Sequence, residues 1–251
     1  MVARFVTVLL LLAAPALAGT GLTLQPERVS AGMFFAGADV VVQARVPRAE
    51  QLVFEISGQQ KTYQLKRKGK ALGLLWMNVG DLEIKHAPEL YLLASSVDCQ
   101  QLASREELAG QGVGLPALRR QLSSDGRPLT AELFEDFLKL KQSEGLYEFR
   151  SGVIEVDGDD AGDVVTTRVV FHLPAKVPLG NHRVRVLAFN QGRGRVLYEK
   201  PLTVEQVGAA RWITVVAHNH GLLYGIGAVI IALVVGLLTG FLFGLGSKGA
   251  H

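Results

Sequence analysis

The chain has 251 residues, enough for one or two domains, and its 49% hydrophobic content with a mean hydropathy of +0.26 exceeds what a soluble domain needs. Its 26 basic and 23 acidic residues give a net charge of only +3, which is too balanced to suggest nucleic-acid binding. The single cysteine, Cys99, excludes an internal disulfide, so we expect it to be either buried or a free thiol.

The chain begins with the pattern of an export signal. Residues 5–14 form an apolar run behind Arg4, and the next residues include the small side chains that signal peptidase accepts. We therefore predict a signal peptide over residues 1–18 that is cleaved after Ala18. The alternative is an uncleaved anchor, but the run is only about ten residues long and a bilayer needs about 20.

Residues 19–97 are predicted to form the first β-rich part of the fold. β-Branched and aromatic residues alternate with polar ones, and Gly, Pro and Asp separate the segments. The predicted strands are Leu22–Gln25, Asp39–Val46, Leu52–Ser57, Thr62–Arg67, Leu72–Asn78 and Leu90–Ala94.

A basic cluster lies in this part, around a predicted hairpin turn at Gly69. Because like charges raise the local concentration of anions, the cluster is a candidate site for an anion or an acidic partner. The alternative is a solvated turn that protects a sheet edge, with the tryptophan anchoring the hairpin. The candidate residues are Lys66, Arg67, Lys68, Lys70, Trp76 and Asn78.

Residues 98–145 are predicted to form a helical insertion. Ser104 and Glu107 have the spacing of a capping box, and apolar residues recur at helical intervals between Thr130 and Ser143. This pattern indicates two or three helices between two β-rich stretches.

Residues 146–207 are predicted to be β-rich again. The predicted strands are Leu146–Val156, Val164–Leu173, His182–Asn190 and Val196–Val204. Since each half has few strands, we favour one immunoglobulin-like β-sandwich with a helical insertion, and two small immunoglobulin-like domains are the alternative. The predicted fold class is mainly β, followed by one C-terminal transmembrane helix.

The acidic segment Asp157–Asp163 resembles a calcium-binding loop but fails as one. Ala161 occupies a ligand position, and Arg168 stands where the bidentate glutamate would be. We interpret the segment as a polar turn.

The second long apolar run, Leu222–Phe243, predicts a transmembrane helix. It has no charged side chain and is about 33 Å long as a helix, against a hydrocarbon core of about 30 Å. With a cleaved export signal, this helix places residues 19–207 and a juxtamembrane segment, 208–221, outside the cytoplasm, and a tail, 244–251, inside it. We expect a single-pass protein of the bacterial inner membrane with most of its mass in the periplasm.

Five glycines recur along the predicted helix and its ends near one helical face. They are Gly221, Gly225, Gly236, Gly240 and Gly244. Small residues allow close helix packing, so they indicate an integral membrane partner or self-association within the lipid bilayer. The alternative is that glycine is simply frequent in membrane helices.

The sequence offers little for catalysis or metal binding. His218 and His220 are weak candidates for a metal site that lacks its third ligand, and a polar cap at the membrane interface is the alternative. No nucleophile motif, phosphate loop or haem site is present. We therefore expect no cofactor, no bound metal, no catalytic residue and no enzymatic activity.

Several segments carry a resemblance to a known family. They are residues 34–39 (FFAGAD), 66–78 (KRKGKALGLLWMN), 91–96 (YLLASS), 144–147 (EGLY), 173–180 (LPAKVPLG) and 223–225 (LYG). Across nearly the whole mature chain, the sequence resembles an uncharacterised family of bacterial transmembrane proteins, best known from alphaproteobacteria. Ser247-Lys248 departs from the arginine-rich tail of that family.

The resemblance implies a partner rather than an activity. The family has no established enzymatic role, and its members are often linked with a permease that resembles sulfite or organosulfonate exporters. We therefore expect a membrane-anchored accessory or structural subunit that binds a membrane protein. The alternative is a membrane-tethered periplasmic module that binds a small anion or a metal through the basic hairpin or the histidines.

Overall fold

The computed structural model describes residues 21–71, 75–157, 162–208, 217, 218 and 220–244. The predicted signal peptide, the end of the predicted tail and much of the predicted juxtamembrane segment therefore lie outside the described residues. Residues 21–208 are called the β-domain below.

The β-domain is built mainly from strands, which confirms the predicted fold class. The strands are β1 (Leu22–Gln25), β2 (Arg28–Ala31), β3 (Gly37–Pro47), β4 (Gln51–Ser57), β5 (Gln60–Ala71), β6 (Leu75–Pro88), β7 (Tyr91–Ser95), β8 (Ser123–Ser124), β9 (Arg127–Pro128), β10 (Tyr147–Ser151), β11 (Glu155–Asp157), β12 (Val164–Pro174), β13 (Gly180–Asn190) and β14 (Arg193–Gln206).

These strands form three sheets. The first sheet has the order β1-β3-β12-β11, the second has the order β10-β7-β4-β13-β14-β2, and the third has the order β5-β6-β8-β9. β3 pairs with β12 and β4 pairs with β13, so the two β-rich stretches of the sequence build the first two sheets together. The second sheet contains parallel pairs, β10 with β7 and β14 with β2, and the immunoglobulin-like part of the prediction is not confirmed.

The middle strands of the second sheet have both faces covered. β12 of the first sheet buries every second side chain, as expected when only one face of a strand is covered. In contrast, β4 buries every residue from Leu52 to Ser57, and β7 is buried throughout. The buried side chains of both sheets and of the helical insertion belong to one hydrophobic cluster, so the β-domain has a shared core.

The helical insertion is present between β7 and β10. Its helices are α1 (Cys99–Leu102), α2 (Arg105–Gly110), α3 (Gly114–Gln121) and α4 (Ala131–Ser143). Ser104 caps α2 by accepting the backbone N–H of Glu107, and Thr130 caps α4 by accepting that of Leu133. The carboxylate of Glu107 instead accepts the N–H of Gly194 at 3.0 Å, which ties α2 to the start of β14.

The predicted turn at Gly69 is wrong. Gly69 lies inside β5, opposite Met77 of β6, and the chain reverses between Ala71 and Leu75. A bulge between Arg67 and Lys68 precedes it, as is common where glycine stands inside a strand. The predicted strand Leu72–Asn78 accordingly begins at Leu75 and continues to Pro88.

The prediction of a single strand over Leu146–Val156 is also wrong, because the structure has two strands there, β10 and β11. β10 pairs with β7 in the second sheet, whereas β11 pairs with β12 in the first sheet. Gly152, with φ of +71°, lies between them in a left-handed conformation that glycine adopts at no steric cost. The chain changes sheets at this point.

The long apolar segment forms α5 (Gly221–Gly244), a helix of 24 residues. The stretch Tyr224–Phe241 is long and apolar enough to cross a membrane, and none of it is buried against the β-domain. The helix matches the predicted span to within one residue at each end.

The β-domain has two distinct ends. β14 ends at Gln206, and the N–H of Val207 donates to the carbonyl of Ala31 at 3.1 Å, so β2 ends at the same place. We call this the exit end, because the chain leaves it toward α5. The C-terminus of α4 lies at the exit end too. Gly145, two residues after α4, is next to Pro174, the last residue of β12: a Cβ added at Gly145 would be 3.3 Å from the Cβ of Pro174.

Candidate functional site

The predicted glycine positions lie on one side of α5. At about 100° per residue, the five positions fall within an arc of about 140°, and Ala228 and Ala232 lie at its edge or within it. Gly227 lies on the opposite side of the helix. A Cβ added at Gly221, Gly225, Gly227, Gly236 or Gly240 would meet nothing within 4 Å, so the β-domain does not occupy either face at these positions.

The glycine face also contains a hydroxyl. Thr239 lies between Gly236 and Gly240 and donates to the carbonyl of Val235 at 2.7 Å, which satisfies it within the helix. Thr239 therefore adds no unsatisfied polar group to the face, which also carries the larger side chains of Val229 and Leu233 beside the glycines. Such a face suits close van der Waals contact with another helix.

The predicted histidines lie just before α5. His218 and His220 are exposed, and the carbonyl of His220 accepts the N–H of Tyr224 in the first turn. Within the described residues, no group of three or more His, Cys, Asp or Glu side chains is placed to hold a metal ion. The structure thus supplies no third ligand for these histidines from the part of the chain that it describes.

The basic hairpin runs away from the exit end. β5 begins at the exit end, where Gln60 pairs with Pro88. Close by, the N–H of Gly58 donates to the carbonyl of Leu90 at 2.8 Å and links the end of β4 to the start of β7. Further along β5, Lys66 lines a groove of about 390 Å³ with Glu132 and Asp136 of the N-terminal half of α4. Since α4 ends at the exit end, the tip of the hairpin points to the other end of the β-domain.

The register brings the remaining candidate residues together. Lys68 is opposite Asn78, Lys70 is opposite Trp76, and Arg67 is opposite Gly80. Directly opposed residues of an antiparallel pair share a face of the sheet. Their side chains lie outside the described part of the structure, whereas Lys66 has acidic neighbours across its groove.

A buried charged network, which the sequence analysis missed, joins the second sheet to the helical insertion. Glu55 is 1% exposed and Arg185 is 8% exposed, and Oε1 of Glu55 accepts from Nη2 and Nε of Arg185 at 2.8 and 3.2 Å. The other oxygen of Glu55 accepts from the hydroxyl of Tyr91 at 2.8 Å. A detectable clue was Glu55 itself, a charged residue within the otherwise apolar segment of β4.

The same network fixes the loop between α2 and α3. Arg185 donates to the carbonyls of Gln111 and Gly112 at 3.2 and 2.9 Å, and the N–H of Gly114 donates to Tyr91 at 2.7 Å. Burial, and then the negative charge of Glu55, raise the pKa of Tyr91 well above its ordinary value. The phenol therefore stays protonated as a donor, and the network has the character of a structural clamp.

A groove of about 850 Å³ lies between the helical insertion and the neighbouring strands β7 and β10 of the second sheet. Leu93, Phe134 and Phe149 contribute apolar surface, and Cys99 lies on its wall. Cys99 is a free, half-buried thiol, and burial raises its pKa. A protonated thiol is a weak nucleophile, so Cys99 lacks the features of a catalytic cysteine.

His172 and His182 lie in different sheets and have different partners. Nδ1 of His172 is 2.8 Å from a carboxylate oxygen of Asp39, and Nε2 of His182 is 2.8 Å from the carbonyl of Pro178. Burial lowers the pKa of His182, which favours its neutral form.

Comparison with known proteins identifies a family. A family model described as "Putative transmembrane protein (Alph_Pro_TM)" matches residues 21–244, which include the β-domain and all of α5. No curated protein and no solved structure matches the chain.

Proposed function

Since the chain belongs to the family described as "Putative transmembrane protein", we propose that it is a non-enzymatic, membrane-anchored accessory subunit. In this proposal α5 holds the β-domain at the periplasmic face of the bacterial inner membrane. The glycine face of α5 packs against a helix of an integral membrane protein. A permease that resembles sulfite or organosulfonate exporters is the candidate that the family resemblance suggests.

The observation that carries the proposal is the open glycine face of α5. A helix that only anchors a domain in lipid gains nothing from small residues at four-residue spacing, because lipid chains fit around large side chains equally well. In α5, Gly236 and Gly240 have no described neighbour at the position of a Cβ, so the groove that they form is available to another helix. Van der Waals contact between backbones would then stabilise the pair.

The β-domain supports a structural role rather than a catalytic one. Its buried ionisable residues are used in contacts that hold the domain together, as in the clamp of Glu55, Tyr91 and Arg185. Lys141, which is also buried, is paired with Glu144 at 2.9 Å and lies 3.8 Å from the centre of the Tyr63 ring. A rigid domain of this kind can present a fixed surface to a partner at the membrane.

The test is co-purification of the full chain from its native membrane in mild detergent, with mass spectrometry and light scattering as readouts. We expect a complex with an integral membrane protein, or a dimer of the chain itself. Recovery of a monomer alone would contradict the proposal.

Matched variants make this test specific to the glycine face. Gly236→Leu and Gly240→Leu add bulk on the proposed interface, whereas Gly227→Leu adds the same bulk on the opposite side of α5. At none of the three positions would an added Cβ meet a described atom of the chain itself within 4 Å, so a loss of complex reports on the partner. We expect loss with the first two variants and retention with Gly227→Leu; equal behaviour of all three would refute the assignment of the face.

A further inference from the structure

The exit end of the β-domain carries a turn with an unusually exposed aromatic side chain. The N–H of Phe35 donates to the carbonyl of Gly32 at 3.2 Å, which closes a turn with Met33 and Phe34 at its tip. Phe34 is 93% exposed, more than any other large hydrophobic side chain in the described residues, and Met33 is 56% exposed. Phe35, in contrast, packs against the core and anchors the turn.

A second apolar side chain lies at the same end. Leu179 is 52% exposed and directly precedes Gly180, the first residue of β13. Gly180 pairs with Val204 of β14, and β14 in turn pairs with β2, which leads into the turn. Since neighbouring strands are about 4.8 Å apart, the chain segments that bear Leu179 and Phe34 leave the sheet about 10 Å from each other.

Both segments leave the sheet where the chain departs for the membrane. The register of β2 and β14 places Ala31 beside Gln206, and the hydrogen bond from Val207 to Ala31 continues this pairing. One side of the exit end is therefore tied to α5 through residues 207–220. These 14 residues can span at most about 50 Å, so the tether keeps an apolar tip at this end within reach of the bilayer.

The charges of the exit end are compatible with a phospholipid surface. Lys176, in the loop between β12 and β13, is exposed and can meet a phosphate headgroup. Two carboxylates at this end have lysine partners within 3.2 Å, in the pairs Glu89 with Lys61 and Glu144 with Lys141. These lysines and Lys176 offset part of the negative charge that Asp39 and Glu205 also bring to this end.

We propose that the Gly32–Phe35 turn, together with Leu179, inserts into the headgroup region of the same bilayer that α5 crosses. This second contact fixes the orientation of the β-domain, with the exit end on the lipid and the basic hairpin pointing away from it. Aromatic and aliphatic side chains on a turn gain from leaving water at the interface, and the tether supplies a high local concentration of lipid. The inference depends on α5 spanning the bilayer but not on the identity of any protein partner.

Spin labels placed at single cysteines test the proposal in the full chain. In a Cys99→Ser background, the label is attached at Phe34→Cys, and the protein is reconstituted into vesicles of phosphatidylethanolamine and phosphatidylglycerol. Asn190→Cys, exposed at the opposite end of the β-domain, is the matched control, and Ile231→Cys, on the side of α5 away from the glycine face, reports whether the helix is in the bilayer. The readout is the ratio of collisions with oxygen to collisions with a water-soluble nickel complex.

We expect this ratio to be several-fold higher at position 34 than at position 190, with position 231 higher still. A label at position 34 that is as accessible to nickel as the control would overturn the proposal. So would a label shielded from both reagents, because that result indicates contact with protein. A position 231 that is accessible to nickel would instead show that the membrane anchor itself has failed.

A second variant tests the role of the aromatic ring. Phe34→Asp should leave the fold intact because the side chain is almost fully exposed, but it places a charge where the lipid contact is proposed. A label at Leu179→Cys is expected to become several-fold more accessible to nickel in this background. An unchanged Leu179→Cys signal in the presence of Phe34→Asp would contradict the joint insertion of the two segments.

Discussion

Removal of the Arg185 guanidinium should destabilise the β-domain more than any surface charge would. In Arg185→Met, Glu55 loses its only described cationic partner, at a position that is 1% exposed. Breaking a buried pair in this way typically costs about 3–5 kcal/mol, a large part of the stability of an average domain of about 5–15 kcal/mol. The carbonyls of Gln111 and Gly112 also lose their donor.

Most of that cost should come from the unpaired carboxylate. Glu55→Gln in the Arg185→Met background removes the negative charge and keeps an oxygen that can accept from Tyr91. We therefore expect the double variant to recover the larger part of the loss. Arg195→Met is the control, because its ion pair with Glu50 has one solvent-exposed member: the Arg195 side chain is 59% exposed and that of Glu50 is 11% exposed. Water screens such a pair, so its loss should cost less than the loss of the buried pair.

The assay is equilibrium unfolding of the full chain in mild detergent, with hydrogen exchange as a local readout. The amide of Gly114, which donates to Tyr91, should exchange faster in Arg185→Met because the loop between α2 and α3 loses its clamp. If Arg185→Met costs no more than Arg195→Met, or if the double variant is as unstable as the single one, the clamp interpretation is wrong.

Four further outcomes are expected. Because burial lowers the pKa of His182, the unfolded chain binds a proton at this residue more readily than the folded chain does. The free energy of unfolding should therefore fall as the pH drops below about 6.5. His182→Gln should flatten this pH dependence, and an unchanged slope would argue against the assignment. Phe171→Ala, which empties a fully buried site in β12, should cost about 3–5 kcal/mol, whereas Val156→Ala at an exposed site should cost little, as measured by denaturant midpoints. Alkylation of Cys99 should be slow near neutral pH and accelerate at alkaline pH, because its raised pKa keeps the thiol protonated; rapid modification at pH 7 would contradict this. Calorimetry with sulfite, sulfate, phosphate and zinc should show no binding, and saturable heat from any of them would favour a tethered binding module over an accessory subunit.

The elements with a clear period could be predicted from the sequence. α4 begins after its Thr130 cap and ends at Ser143, and α2 begins after its Ser104 cap, as the spacing indicates. The predicted strand Val164–Leu173 lies within β12, and the uncharged length of α5 was an equally direct signal. In each of these cases the local pattern and the final packing require the same residues.

Errors arose where the partner strand decides the outcome. Gly69 looks like a turn residue, but it pairs inside the long hairpin because Met77 and its neighbours continue the ladder past it. The segment Leu146–Val156 looks like one strand, yet its halves belong to different sheets, and nothing local to the segment specifies either partner. Such choices depend on long-range contacts, which local propensity does not encode.

Part of the candidate site was visible in the sequence and part was not. The glycine face of α5 follows from spacing alone, since helical geometry fixes which residues share a side. The clamp of Glu55 and Arg185 joins residues far apart in the chain, and the exposure of Phe34 depends on where β2 and β14 end. The structure was needed to bring these residues to one place.

Alkaline carbonate extraction of membranes from cells that express the full chain tests the central claim most directly. A protein held by α5 across the bilayer should stay in the membrane pellet, whereas a matched chain that ends before Gly221 should be released. Appearance of the full chain in the carbonate supernatant would contradict the anchor and, with it, the proposed partner.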